Sequence, residues 1–132
     1  MQIDHLGIAV RDLADSLAKY EPLLGGKGSP PENVDSQGVR VSFLEAGESH
    51  LEFLEPLRTD SAVGRFLDKR GEGIHHLAFR VPDVAAELAQ VRASGGRLVD
   101  EVPRIGARGR TVGFAHPSSF AGVLVEFVES PK

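Results

Sequence analysis

Asp4-His5-Leu6-Gly7-Ile8-Ala9-Val10-Arg11-Asp12-Leu13 and His75-His76-Leu77-Ala78-Phe79-Arg80-Val81-Pro82-Asp83-Val84 are two versions of one pattern. In each, a histidine opens an alternating apolar run that an aspartate closes. His76 stands 71 residues after His5 (76 − 5). A second pair follows: Glu52-Phe53-Leu54-Glu55-Pro56 matches Glu126-Phe127-Val128-Glu129-Ser130-Pro131, at an offset of 74 (126 − 52). One short loop insertion accounts for the difference. The chain therefore divides into two similar halves, about 1–57 and 73–132, joined by 58–72. Neither half is long enough to bury a core alone, so a single domain over 1–132 is expected.

The halves read alike element by element. Residues 2–10 alternate as a strand. Asp12 caps a helix carrying Leu13, Leu17 and Leu24 that ends near Gly25-Gly26. The Pro-rich and polar stretch 27–37 reads as loop. Val39, Val41 and Phe43 alternate as a strand, Gly47 marks a turn, and 49–55 is the next strand. In the second half 75–81 is a strand, and Asp83 caps a helix with Val84, Leu88 and Val91 that stops at Gly95-Gly96. Strands are expected near 97–101, 110–115 and 122–129. The joining segment has Val63, Phe66 and Leu67 at helical spacing. The unit is βαβββ, used twice, which makes an α+β fold.

Composition narrows the chemistry. A net charge of -4 gives no basic face for nucleic acid. No cysteine is present, which excludes disulfides, thiolate metal ligands and a thiol nucleophile together, and suits a reducing cytoplasm. The N-terminal stretch has no basic region and no long apolar run, so neither a signal nor a membrane span is expected.

Side chains alternate faces along a strand. Leu6, Ile8 and Val10 share one face of the first strand; His5, Gly7 and Ala9 share the other. The second-half strand puts Leu77, Phe79 and Val81 on one side, His76 and Ala78 on the other. A histidine beside small residues leaves a concavity. Glu52 and Glu126 likewise oppose their apolar neighbours, and a carboxylate there is costly unless it is paired or bound to a metal. One histidine on a strand is more often structural than a ligand, and motif matches carry false positives. His75 has the opposite parity to His76 and reads as packing or surface, and His50 flanks a strand as a solvated residue. His116, before Pro117, bonds locally or points at substrate. The repeat raises His5, Glu52, His76 and Glu126 above that level. Two imidazoles and two carboxylates make a mixed N/O site for a divalent ion such as cobalt, manganese, nickel, magnesium or zinc.

These stretches resemble the vicinal oxygen chelate superfamily, which includes glyoxalase I, extradiol dioxygenases and bleomycin-resistance proteins. Within it the chain is most similar to the methylmalonyl-CoA epimerase family. Gly71-Glu72-Gly73-Ile74-His75-His76, Gly122-Val123-Leu124-Val125-Glu126-Phe127 and Phe114-Ala115-His116-Pro117 also fit. The resemblance implies two βαβββ modules forming a curved mixed sheet around a metal site. It implies metal ligands His5, His76 and Glu126, with Glu52 at a position that is Gln or Glu in the family. It implies proton transfer at C2 of an acyl-CoA through a metal-stabilised enolate, with Glu126 as one acid/base, Glu52 or a metal-bound water as the other, and cobalt or manganese as the favoured ion. A cytoplasmic homodimer is the expected form. Two positions depart from the family. Val41 stands where some members carry a second base, and Glu45 lies about 13 Å further along the same face. Ser118 stands where relatives often carry Lys. Arg104, Arg108 and Arg110 read as a patch for CoA phosphates or as plain surface charge. The other implied activities are a glyoxalase-type isomerase acting on a glutathione adduct and a non-enzymatic drug-sequestering protein.

Overall fold

A computed structural model describes residues 1–130. Pro131 and Lys132, at the end of the second repeated motif, lie outside the described residues. The chain packs as two compact units. One is His5–His75; the other is Met1–Asp4 together with the stretch from His76 onward.

The first unit holds most of β1 (Gln2–Ala9), then α1 (Leu13–Leu24), β2 (Glu32–Val34), β3 (Val39–Ala46), β4 (Ser49–Pro56) and α2 (Ala62–Arg70). Its strand order is β2-β3-β4-β1, with β4 parallel to β1 and antiparallel to β3. Alternation in β1 and β4 sends Ile8, Val10, Leu51 and Phe53 to one face. There they meet Leu13, Leu17 and Tyr20 of α1. The Asp12 side chain accepts from the Asp15 N–H at 2.9 Å, and Glu55 accepts from the Leu13 N–H at 2.7 Å. Two of the donors that a helix start leaves open are thus satisfied. The helix ends where Gly25 turns left-handed at φ 78°.

The second unit repeats this plan with β5 (Gly73–Val81), α3 (Val84–Ala93), β6 (Arg104–Ile105), β7 (Thr111–Ala115) and β8 (Val125–Glu129). The order is β5-β8-β7-β6, with β8 parallel to β5 and antiparallel to β7. Val81, Val84, Leu88, Ala115, Val125 and Phe127 form its core. Gly113 lets α3 approach β7: a Cβ there would stand 2.8 Å from the Leu88 side chain. Asp83 and Glu129 cap α3 as Asp12 and Glu55 cap α1, accepting from Ala86 N–H at 3.1 Å and Val84 N–H at 3.0 Å.

Three expectations change. Within the stretch read as loop, Glu32–Val34 pairs with β3, and a 3-10 turn follows over Asp35–Gln37. Three residues are too few to show alternation. No ladder forms over 97–101, where Leu98 alone bridges to Ala115. The cause is Asp100, whose carboxylate takes the Phe114 N–H that a neighbouring strand would use. The last strand starts at Val125, because Ala121 and Gly122 are left-handed, at φ 55° and 88°. Among the described residues, no helix is long and apolar enough to cross a membrane.

Candidate metal centre

Each unit buries one histidine against one glutamate. In the first, His5 and Glu52 are each 3% exposed, with Nε2 and Oε1 3.2 Å apart. In the second, His76 and Glu126 are 2% and 3% exposed, with the same atoms 3.1 Å apart. Strand register explains both. Gly7 is the partner of Glu52 across β1 and β4, and Ala78 is the partner of Glu126 across β5 and β8. The histidine lies two residues before the small one, on the same face. A missing or minimal side chain opposite the carboxylate leaves room for the imidazole to lean across to it.

The other side of each glutamate is closed by a phenyl ring. Phe43 is the partner of Glu52, and its ring meets His5 edge-on at 6.0 Å. Phe114 is the partner of Glu126 and meets His76 edge-on at 5.4 Å. These rings were not singled out from sequence, although Phe114 follows Phe43 by the same 71 residues (114 − 43) that separate the histidines.

The donor chemistry suits a divalent cation. Cis ligands at about 2.1 Å on an octahedral ion stand about 3.0 Å apart, close to both N···O separations. Imidazole and carboxylate are borderline and hard donors, compatible with first-row divalent metals. Among the described residues, each buried pair, His5 with Glu52 and His76 with Glu126, offers one such nitrogen and one such oxygen.

The other singled-out residues fall elsewhere. Val41 is 1% exposed in β3, on the same face as Phe43, and brings no acid or base. Glu45 is exposed and pairs in register with His50. His75 packs its ring edge-on against Phe66 at 5.0 Å. His50 meets Phe43 at 6.2 Å, so it is more enclosed than a solvated flank. The arginine patch does not hold together. Arg110 is 9% exposed and forks onto Asp4, with both bonds at 3.0 Å, while its Nε donates to the Glu129 carbonyl at 2.8 Å. Arg80 donates to the same Asp4 at 3.0 Å. Arg110 is therefore a buried structural cation rather than surface charge. Arg104 lies over the Phe114 ring at 5.5 Å.

Residues 4–114 match the model of the Glyoxalase/Bleomycin resistance protein/Dioxygenase superfamily. The chain belongs to this superfamily. An ethylmalonyl-CoA/methylmalonyl-CoA epimerase of Cereibacter sphaeroides is 36% identical over 95% of this chain and 95% of its own. A variant of the Streptomyces coelicolor methylmalonyl-CoA epimerase, solved with 2-nitronate-propionyl-CoA, is 42% identical with a TM-score of 0.93, covering 98% of this chain and 94% of that one. A Bacillus halodurans hypothetical protein is 44% identical with the same TM-score, over 99% and 95%. The glyoxalase-superfamily fold and its paired βαβββ modules thus stand on sequence and backbone alike. Three features recur in both halves here: a histidine within a strand, a small residue two places on, and a glutamate beside that small residue on the neighbouring strand.

Proposed function

We propose that this protein is a methylmalonyl-CoA epimerase, an isomerase that interconverts the two configurations at C2 of the acyl group. The observation that carries this is the doubled buried His–Glu pair. It supplies two carboxylates and two imidazoles within a chain whose relatives act, by name, on methylmalonyl-CoA. His5, Glu52, His76 and Glu126 hold one divalent ion, and residues 1–132 act as a single domain. Cobalt or manganese is the favoured ion, with nickel, zinc or magnesium as alternatives. When bound, the ion supplies Lewis-acid polarisation of substrate oxygens, which makes the C2 proton easier to remove.

The protein's own groups handle that proton. Epimerisation removes it from one face of C2 and returns one on the other, so it needs an acid/base on each side. Glu126 serves one face and Glu52 the other. Val41 leaves β3 with no carboxylate at the position where some relatives carry a base, so the second carboxylate comes from β4. Phe43 and Phe114 wall the glutamates and exclude water, which strengthens electrostatics within the site. The protein works as a homodimer in the cytoplasm, a compartment that suits its cysteine-free composition. Incubating one epimer of methylmalonyl-CoA with Co²⁺- or Mn²⁺-loaded protein should give an equimolar mixture on chiral analysis. An unchanged epimer would refute the assignment.

A further inference from the structure

We infer that Arg104 is a specificity residue for the acyl group, whose guanidinium receives a carboxylate carried on C2; this rests on the acyl-CoA reading above. Strand register places Arg104 on the same face of the sheet as the second His–Glu pair. Arg104 is the partner of Val112, and Val112 is the partner of Val128. Directly paired residues point to one face. Two residues along that face of β7 and β8 stand Phe114 and Glu126, themselves partners. His76 and Ala78 bring β5 to the same face, where Ala78 packs with Val112 and Val128.

The Arg104 side chain does not stay above Val112. Its Cζ lies over the Phe114 ring, 5.5 Å from the centroid. That ring in turn meets the His76 imidazole at 5.4 Å. One phenyl ring thus stands between the guanidinium and the imidazole. Asp100 sets this position. One of its oxygens accepts the Phe114 N–H at 2.9 Å, and the other stands 3.4 Å from Arg104 Nε. Asp100 therefore ties Arg104 to the backbone of the residue whose ring it covers. The contact at Nε orients the guanidinium plane, and the two Nη groups form the edge that matches a carboxylate.

Charge gives the reason for a cation here. The side chains that register brings beside Arg104 are the apolar Val112, Val128, Ala78 and Phe114, and the acid Glu126. A carboxylate entering this face meets repulsion from Glu126 and no polar attraction from the others. Arg80 shares the face but is committed to Asp4, with Nε and Nη2 both 3.0 Å from Oδ1. The Arg104 side chain is 34% exposed, and a partly desolvated charge acts more strongly than one in water. A malonyl group has about 5 Å between its outer oxygens. With one end at the His76–Glu126 pair, its other end extends across the Phe114 ring toward Arg104.

The test compares R104Q with the parent, both loaded with cobalt, by calorimetry on malonyl-CoA and propionyl-CoA. These carry a carboxylate and a methyl group, respectively, at the same position. The parent should prefer malonyl-CoA. R104Q should bind malonyl-CoA about tenfold more weakly, with propionyl-CoA and cobalt affinity unaltered. R104K keeps the charge without the fork and should fall between the two. Loss of kcat/KM on methylmalonyl-CoA should follow loss of malonyl-CoA affinity. Equal losses on both thioesters would put the contact on the coenzyme. No loss on either would leave Arg104 a partner of Asp100 alone. Either result overturns the assignment, as does a parent with no preference for malonyl-CoA. A preference that R104Q abolishes, in a protein that epimerises nothing, would count against the epimerase reading alone. Epimerisation by a protein whose preference survives in R104Q would overturn the role of Arg104.

Discussion

Glu52 and Glu126 sit inside apolar strands at 3% exposure, where an unpaired carboxylate would cost several kcal/mol. Each has an imidazole at 3.1–3.2 Å, a small residue on one flanking strand and a phenyl ring on the other. The four polar residues were legible in the sequence because the repeat marks them twice. The rings were not, because a phenylalanine in an apolar strand carries no distinguishing signal until its cross-strand partner is known. Arg110 was misread for a related reason: its partner Asp4 is 106 positions away, and only the fold shows that both are buried. H76A or E126Q should weaken Co²⁺ binding at least 100-fold by calorimetry, more than a lost outer-shell contact would. R110A leaves Asp4 buried with one fewer cation and should cost about 3–5 kcal/mol in urea unfolding. R110K should recover only part of that, because an ammonium cannot fork onto the carboxylate.

The elements follow from short-range rules applied twice. An aspartate starts each of α1 and α3, and a glutamate from the end of β4 or β8 takes the first helical N–H. Glu55 and Glu129 thus explain why the Glu-Phe-x-Glu motif repeats as a whole: its first glutamate belongs to the buried pair and its second to the cap. Asp12→Ala and Asp83→Ala should each cost about 1 kcal/mol, read from urea midpoints at constant m. Cobalt affinity should be unaltered in both, since neither aspartate touches the His–Glu pairs. Helices and long strands were legible from periodicity and caps. The short β2 and β6 were not, since two or three residues show no period. The missing ladder at 97–101 turned on one side chain, Asp100, competing for a backbone donor.

At the scale of the molecule, the proposed ion would draw two of its donors from each half. Ion binding and folding should therefore be linked. Cobalt at 100 times its Kd should raise unfolding stability by about 2.7 kcal/mol, with all 132 residues unfolding in one transition. H5A, which removes a donor from the first half alone, should abolish that increment. The most direct measurement for the whole account is NMR of methylmalonyl-CoA in heavy water. Cobalt- or manganese-loaded protein should replace the C2 proton with deuterium, and EDTA should stop the exchange. Metal-loaded, folded protein that leaves the C2 proton in place would contradict the account.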